Sequence, residues 1–269
     1  MKGRHHFKKI VILTGAGISA ESGLSTFRDS HGLWEKHRIE EVATPEAFFH
    51  NPGLVWKFYS MRRLQAAQAQ PNKAHFALVD FTKFSKAEVH LVTQNVDGLH
   101  QRADPEEVLP ALCMHGSLNQ SSCHGCGNIF FDDFAYFDLK GNYAPKKTAI
   151  CNPTQRSSAD YLHHYKLTFK NFLPLSPCCH VFLRPKIVWF GETPLHMVKI
   201  ENLLLETDLF VSIGTSGQVY PAAGFLQKAK ISGAMTVCIN KERLPQNEFV
   251  DQFIEGAATV RVPEFFANL

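Results

Sequence analysis

The side chains best suited to chemistry in this sequence are few and grouped. His115 stands directly before Gly116, and Gln94-Asn95-Val96-Asp97 closes an apolar run upstream of it. An imidazole titrates near neutrality, so it can take or return a proton at physiological pH. Amides and a carboxylate at a strand end orient ligand hydroxyl and carboxamide groups, although such residues elsewhere form turns and caps. Tyr59 and Arg62 lie three apart on a segment with helical spacing and project from one face. A phenol beside a guanidinium suits a carboxylate, which arginine grips with two parallel hydrogen bonds. The ordinary alternative for such a pair is a solvated arginine next to a half-buried tyrosine. Cys123-His124-Gly125-Cys126, followed by Gly127, has the form of half a zinc ribbon.

These groups need a scaffold. Thr14-Gly15-Ala16-Gly17-Ile18-Ser19-Ala20 follows the first apolar run and fits G-x-G-x-x-A at the head of a helix. Glycines there permit a tight turn and let backbone N–H groups approach a diphosphate. A dinucleotide dehydrogenase would add an acidic residue about 20 positions on, ending a second strand. Glu35, Glu40 and Glu41 stand near that distance, but their surroundings do not read as a strand.

Apolar or β-branched runs at 9–14, 88–93, 186–189, 208–214, 235–240 and 259–262 suit strands buried on both faces. Helical spacing occupies 53–70, 73–84, 195–207 and 221–232. The alternation predicts an α/β fold, a Rossmann-like parallel sheet with helices on both faces, joined to a small zinc-ribbon and helical part. Residues 1–32, 76–117 and 186–269 are assigned to the sheet domain, 33–75 to a helical insertion and 118–185 to a cysteine-containing module.

With 269 residues, 45% hydrophobic and 20% charged, the composition is that of a globular protein with a large core. A net charge of +3 without a Lys/Arg stripe gives no reason to expect nucleic acid as partner. Ile10 to Leu13 is too short for a signal-peptide core, and nothing reaches the roughly 20 apolar residues of a membrane helix. A cytoplasmic location, no membrane partner and a monomeric state are the expectations. Six of the seven cysteines fall between 113 and 179, which points to a local metal site and away from scattered core thiols.

The run Gly15-Ala16-Gly17-Ile18-Ser19-Ala20-Glu21-Ser22-Gly23-Leu24-Ser25-Thr26-Phe27-Arg28-Asp29 resembles the signature of the sirtuin family. Thr93 to His100, His115-Gly116, Val188-Trp189-Phe190-Gly191-Glu192, Gly214-Thr215-Ser216 and Asn240 follow in that family's order, over about residues 9 to 265. The resemblance implies a compact bacterial NAD-dependent protein-lysine deacylase that yields nicotinamide, O-acyl-ADP-ribose and free lysine. It implies His115 as the base, and Asn95 and Asp97 beside nicotinamide with Ile18 and Phe27 as apolar walls. Arg28 faces ribose or phosphate, and Gly15, Ala16, Gly17, Ala20, Trp34, Gln94 and Val96 complete that part of the NAD site. Gly214, Thr215 and Ser216 serve phosphate, Asn240 and Lys241 the adenosine ribose, and Ala258 the adenine. The peptide partner is expected as an added strand at Val188, Phe190, Gly191 and Val219.

In the members that remove succinyl and malonyl groups, a Tyr-x-x-Arg pair occupies the place of Tyr59 and Arg62. The resemblance therefore implies acidic acyl-lysine proteins or peptides as substrates, with deacetylation as a second or alternative activity. ADP-ribosyl transfer and a non-catalytic NAD-binding role are the other readings. Sirtuins usually carry a second cysteine pair just before Leu-Arg-Pro, here Leu183-Arg184-Pro185. Cys179 has the usual offset, but Ser176 stands where its partner is expected. Cys151 or Cys178 could complete a structural zinc site, with Cys123, Cys126, Cys151 and Cys179 as the first set and His124 and His180 in reserve.

Overall fold

The run Lys-Ile-Val-Ile-Leu-Thr alternates two apolar sets, and the fold uses both. In β1 (Lys9–Thr14), Ile10 and Ile12 enter one core, while Val11 and Leu13 enter another on the opposite face. A strand buried on both sides must lie inside a sheet covered by helices. The computed structural model describes residues 7–26, 33–34, 37–130, 136–137, 143–144, 168–170 and 173–269.

Six parallel strands form the main sheet. They are β1, β2 (Glu88–Thr93), β3 (Ala111–Cys113), β7 (Leu209–Ile213), β8 (Met235–Asn240) and β9 (Gln252–Glu255), in the spatial order β9-β8-β7-β1-β2-β3. The strand order reverses direction between β1 and β7. Ligands of open α/β sheets bind at such a switch point, outside the carboxyl ends of the strands. The runs at 9–14, 88–93 and 235–240 form strands with the expected limits, and 208–214 supplies β7. Two expectations differ. Residues 186–189 contribute only the end of β6 (Leu183–Ile187), which pairs antiparallel outside the main sheet. Residues 259–262 lie within a helix, α7 (Ala258–Ala267), because Ala258, Val262 and Phe266 at four-residue spacing are its buried face.

Helix α3 (Lys73–Phe84) packs beside α7, with the Phe81 and Phe266 rings 4.8 Å apart, and touches the short α4 (Leu99–Ala103). Asn72 caps α3 by accepting from the Ala74 N–H at 3.0 Å. On the opposite face lie α5 (Met197–Glu206) and α6 (Phe225–Ile231), which bury Ile200, Leu204, Phe225 and Ala229. After β1 the chain makes two short 3-10 turns, Ala16–Ile18 and Ala20–Ser22, in place of the expected α-helix.

A second core lies beside the sheet. It joins α1 (Pro45–His50) and α2 (Pro52–Gln68) to a three-stranded antiparallel sheet of β4 (Gly116–Cys123), β5 (Ile129–Phe130) and β6, in the order β6-β4-β5. Thr44 and Asn51 accept from the Ala47 and Leu54 N–H groups, and Pro45 and Pro52 occupy the first helical positions. Trp56, Phe58, Tyr59 and Trp189 are nearly inaccessible in this core. No described helix is long and apolar enough to cross a membrane.

The turns that follow β1 and β7 meet at a backbone crossing. The Gly17 N–H donates to the Gly214 carbonyl at 2.8 Å, and a Cβ on Gly17 would sit 2.7 Å from the Gly214 Cα. Gly17→Ala is expected to lower unfolding free energy by about 1–3 kcal/mol, the usual cost of overpacking, in urea denaturation. Unchanged stability would mean that the two turns separate freely.

Candidate active site

A cleft of about 550 Å³ opens over this crossing. Its floor is the glycine turn at Gly15, Ala16 and Gly17, with Ala20 behind it and Gly214, Thr215 and Ser216 opposite. Gln94, Asn95, Val96 and Asp97 leave the end of β2 at one side, and Asn240, Lys241 and Ala258 stand at the other. His115, Val188, Phe190, Gly191, Val219, Tyr59 and Arg62 line the remainder. Segments remote in sequence thus converge where the sheet order switches.

Ile18 is not a wall of this cleft. Its side chain is fully buried in the core under the glycine turn, because the first 3-10 turn rotates it toward α3 and α7. Phe27, Arg28 and Cys151 lie outside the described residues, as does the side chain of Trp34.

His115 occupies the turn between β3 and β4. A side chain on Gly116, whose φ is +87°, would collide with the Lys186 carbonyl, so a glycine must follow the histidine. His115 Nδ1 lies 3.2 Å from the Gln94 carbonyl oxygen. A carbonyl only accepts, so Nδ1 carries the proton and Nε2 keeps its lone pair. Burial lowers the His115 pKa, outweighing the opposing Gln94 hydrogen bond, and keeps the ring neutral at pH 7. It is a base with its acceptor atom unprotonated.

Ser19, which sequence reasoning assigned no task, ties the polar end together. It donates to Asp97 Oδ2 at 2.8 Å and accepts from Asn95 Nδ2 at 3.2 Å. The Leu99 N–H holds Asp97 Oδ1 at 2.9 Å, while burial pushes this carboxyl up. Behind Ser19, His75 Nδ1 accepts from the Asn72 N–H at 3.2 Å, and its ring lies 4.8 Å from that of His100. The placement of Ser19 in the G-x-G-x-x-A turn, beside a strand end rich in amides, was the available signal.

At the apolar end, Tyr59 is inaccessible and Arg62 is buried on the same face of α2. The Trp189 indole N–H donates to the Tyr59 hydroxyl at 3.1 Å. The Arg62 guanidinium reaches Gln65 Oε1 at 3.3 Å.

A second cluster stands away from the cleft. Sulfurs of Cys123, Cys126, Cys178 and Cys179 all lie within 4.8 Å of one another, and Cys126 and Cys178 are 3.4 Å apart. A tetrahedral tetrathiolate with Zn–S near 2.3 Å places its sulfurs about 3.8 Å apart, so the set fits zinc. Cys178 stands in this set among the described residues, and Cys151, the first choice, lies outside them. The turn at 176–179 directs Ser176 to a 3.1 Å hydrogen bond with Cys123 and brings both following cysteines to the cluster. Burial opposes ionisation of Cys123, but Ser176 and the Cys126 and Gly125 N–H groups bring its thiol to about 6. Hydrogen bonds to the Cys126 and Cys123 sulfurs hold the proton on Cys179 and push it up to about 12; a divalent cation bound by the four would displace that proton.

A sheet of this order with glycine turns at its switch point defines an α/β protein of the Rossmann type. Residues 15–221 match the model of the Sir2 family, and the chain belongs to that family. It is 44% identical over 263 residues to an NAD-dependent protein deacylase of Pasteurella multocida, covering 97% of each chain. It is 43% identical to an NAD-dependent protein deacylase of Leishmania major, covering 94% of this chain and 92% of that one. A crystal structure of a Sir2 homolog–NAD complex superposes with a TM-score of 0.76 at 33% identity, over 97% of this chain and 89% of the other.

The buried imidazoles make stability depend on pH. Burial lowers His75 to about 4 and His100 well below the ordinary value of 6.5, so unfolded chains bind protons that folded chains refuse. Stability is full above pH 6.5 and falls as the pH drops toward 4. His75 alone is expected to cost about 2 kcal/mol between pH 7 and pH 5. Urea unfolding of the protein and of His75→Gln at both pH values checks this; equal slopes would contradict it.

Proposed function

We propose that the chain is an NAD-dependent protein-lysine deacylase that favours succinyl and malonyl groups and also removes acetyl groups. One observation carries the reading. A single cleft joins glycine turns suited to a diphosphate, a neutral imidazole with a free Nε2, and a buried Tyr59–Arg62 pair.

Bound NAD supplies an anomeric carbon that, on loss of nicotinamide, accepts the acyl oxygen of the lysine substrate. The chain does the rest. The main chain of the glycine turn at Ala16, with Thr215 and Ser216, holds the diphosphate, and Asn240, Lys241 and Ala258 receive the adenosine. Asn95 and Asp97, tied together through Ser19, orient the carboxamide. His115 Nε2 takes the proton of a ribose hydroxyl so that this oxygen can attack the acyl carbon. Val188, Phe190, Gly191 and Val219 offer edges to a peptide main chain, which suits many acyl-lysine proteins. Tyr59 and Arg62 receive the acyl carboxylate, a group that an acetyl chain lacks.

Residues 1–32, 76–117 and 186–269 form the NAD-binding domain in this reading, with 33–75 and 118–185 as the helical and zinc parts. Structural Zn2+ held by four cysteines closes the small module and leaves no open position for catalysis. Thiols kept reduced for a metal suit the cytoplasm. The site needs one chain only, which fits a monomer, and the low net charge favours protein over nucleic-acid partners.

Two experiments check the assignment. Arg62→Met should lower kcat/KM for a succinyl-lysine peptide at least tenfold, a charged hydrogen bond being worth about 1.5–3 kcal/mol, and spare the acetyl form. Equal effects on both would remove the acyl preference. Metal analysis should find one zinc per chain, kept in Cys151→Ser and lost in Cys178→Ser; the reverse would restore Cys151 as ligand.

A further inference from the structure

The Tyr59 phenol cannot set its own direction. Its ring is inaccessible, so its hydroxyl must be paired where it stands, and the Trp189 indole N–H is a partner. An indole nitrogen only donates. The Tyr59 oxygen is therefore the acceptor in this bond, and its own proton must point to some other acceptor.

Trp189 is held in turn at three points. Its backbone N–H donates to Glu192 Oε2 at 2.9 Å, and the Glu192 N–H donates back to the Trp189 carbonyl at 3.0 Å. Arg184 grips the same carboxylate with both terminal nitrogens, at 2.6 and 2.9 Å. Its guanidinium carbon also lies 3.5 Å from the centre of the Trp189 ring, within the range of a cation–π contact. Burial pushes Glu192 up, but Arg184 and the Trp189 N–H prevail and keep it ionised. The next residue, Phe190, donates to the Ala43 carbonyl at 3.0 Å, which anchors the segment on the helical part.

We infer that Trp189, braced by Arg184 and Glu192, is a specificity-determining positioning residue that aims the Tyr59 hydroxyl at the carboxylate of the acyl group. The inference rests on the acyl preference proposed for Tyr59 and Arg62. It assigns a cause to that preference. One segment then carries both readings: its backbone at Val188 and Phe190 meets the peptide, while its indole sets the donor that meets the acyl end. A pocket built on Tyr59 without this indole would let the hydroxyl turn, and its proton would be shared among other acceptors.

Trp189→Phe keeps an aromatic side chain, smaller than the indole, and removes the N–H. Steady-state kinetics on succinyl- and acetyl-lysine versions of one peptide are compared for the parent, Trp189→Phe, Tyr59→Phe, the double variant and Arg62→Met. Trp189→Phe should lower kcat/KM for the succinyl peptide about fivefold more than for the acetyl peptide, the worth of one neutral hydrogen bond. The loss should fall on the KM for the succinyl peptide and spare the KM for NAD. In the Tyr59→Phe background the selective loss should vanish, since the indole then has no hydroxyl to direct. Equal losses on both peptides, or a selective loss that survives in the double variant, would overturn the inference. If Arg62→Met is selective and Trp189→Phe is not, this inference alone fails; if neither is selective, the acyl preference fails with it. Should Trp189→Phe not fold, the indole 15N–1H resonance of Trp189 in the parent decides. A shift in Tyr59→Phe and on adding the succinyl but not the acetyl peptide supports it, and an unmoved resonance overturns it.

Discussion

Gly17 and Gly214 meet backbone to backbone, and the cleft exists because they do. The 2.8 Å hydrogen bond between them joins the turn after β1 to the turn after β7 at the point where the sheet order reverses. No side chain fits on either glycine: a Cβ on Gly214 would lie 2.5 Å from the Ile18 nitrogen. That crowding keeps the floor of the cleft made of main chain, which is what a close approach to phosphate requires. It also drives Ile18 downward into the core, where it stabilises the floor without touching the cleft.

From this floor the site is built by strand ends on one side and by the second core on the other. β2 delivers Gln94 to Asp97, and the turn after β3 delivers His115 against the Gln94 carbonyl. These polar groups are close-coupled, and Ser19 binds them to the glycine turn. The second core supplies large aromatic side chains and one buried arginine–phenol pair, so the cleft passes from a polar end to an apolar end with a charge at its depth. Such an arrangement suits the proposed separation of dinucleotide handling from acyl recognition, with His115 lining the same cleft.

Much of this was legible in the residues. Buried parallel strands of near-continuous apolar composition, as in β1, β2 and β8, announce themselves, and so do glycine turns and a Tyr-x-x-Arg pair on one helix face. Short edge strands do not: Ala111–Cys113 and Gln252–Glu255 have three and four residues and gain their order from a neighbour. Residues 259–262 misled because β-branched composition speaks for a strand, whereas the four-residue spacing of Ala258, Val262 and Phe266 and the face of α3 decide for a helix. At the cysteine cluster, offsets along the chain cannot say how a turn projects adjacent side chains. Only the folded turn shows Cys178 beside Cys126 and Ser176 against Cys123. The Trp189–Tyr59 bond spans 130 positions and leaves no local mark.

The central claim is that one cleft couples NAD cleavage to removal of an acyl group from lysine. Incubating the protein with NAD and a succinyl-lysine peptide, and following products by mass spectrometry, tests it most directly. The account predicts nicotinamide and free lysine peptide in equal amounts, together with O-succinyl-ADP-ribose, and negligible nicotinamide without the acyl peptide. Nicotinamide released at the same rate without peptide, or ADP-ribose attached to protein, would contradict it.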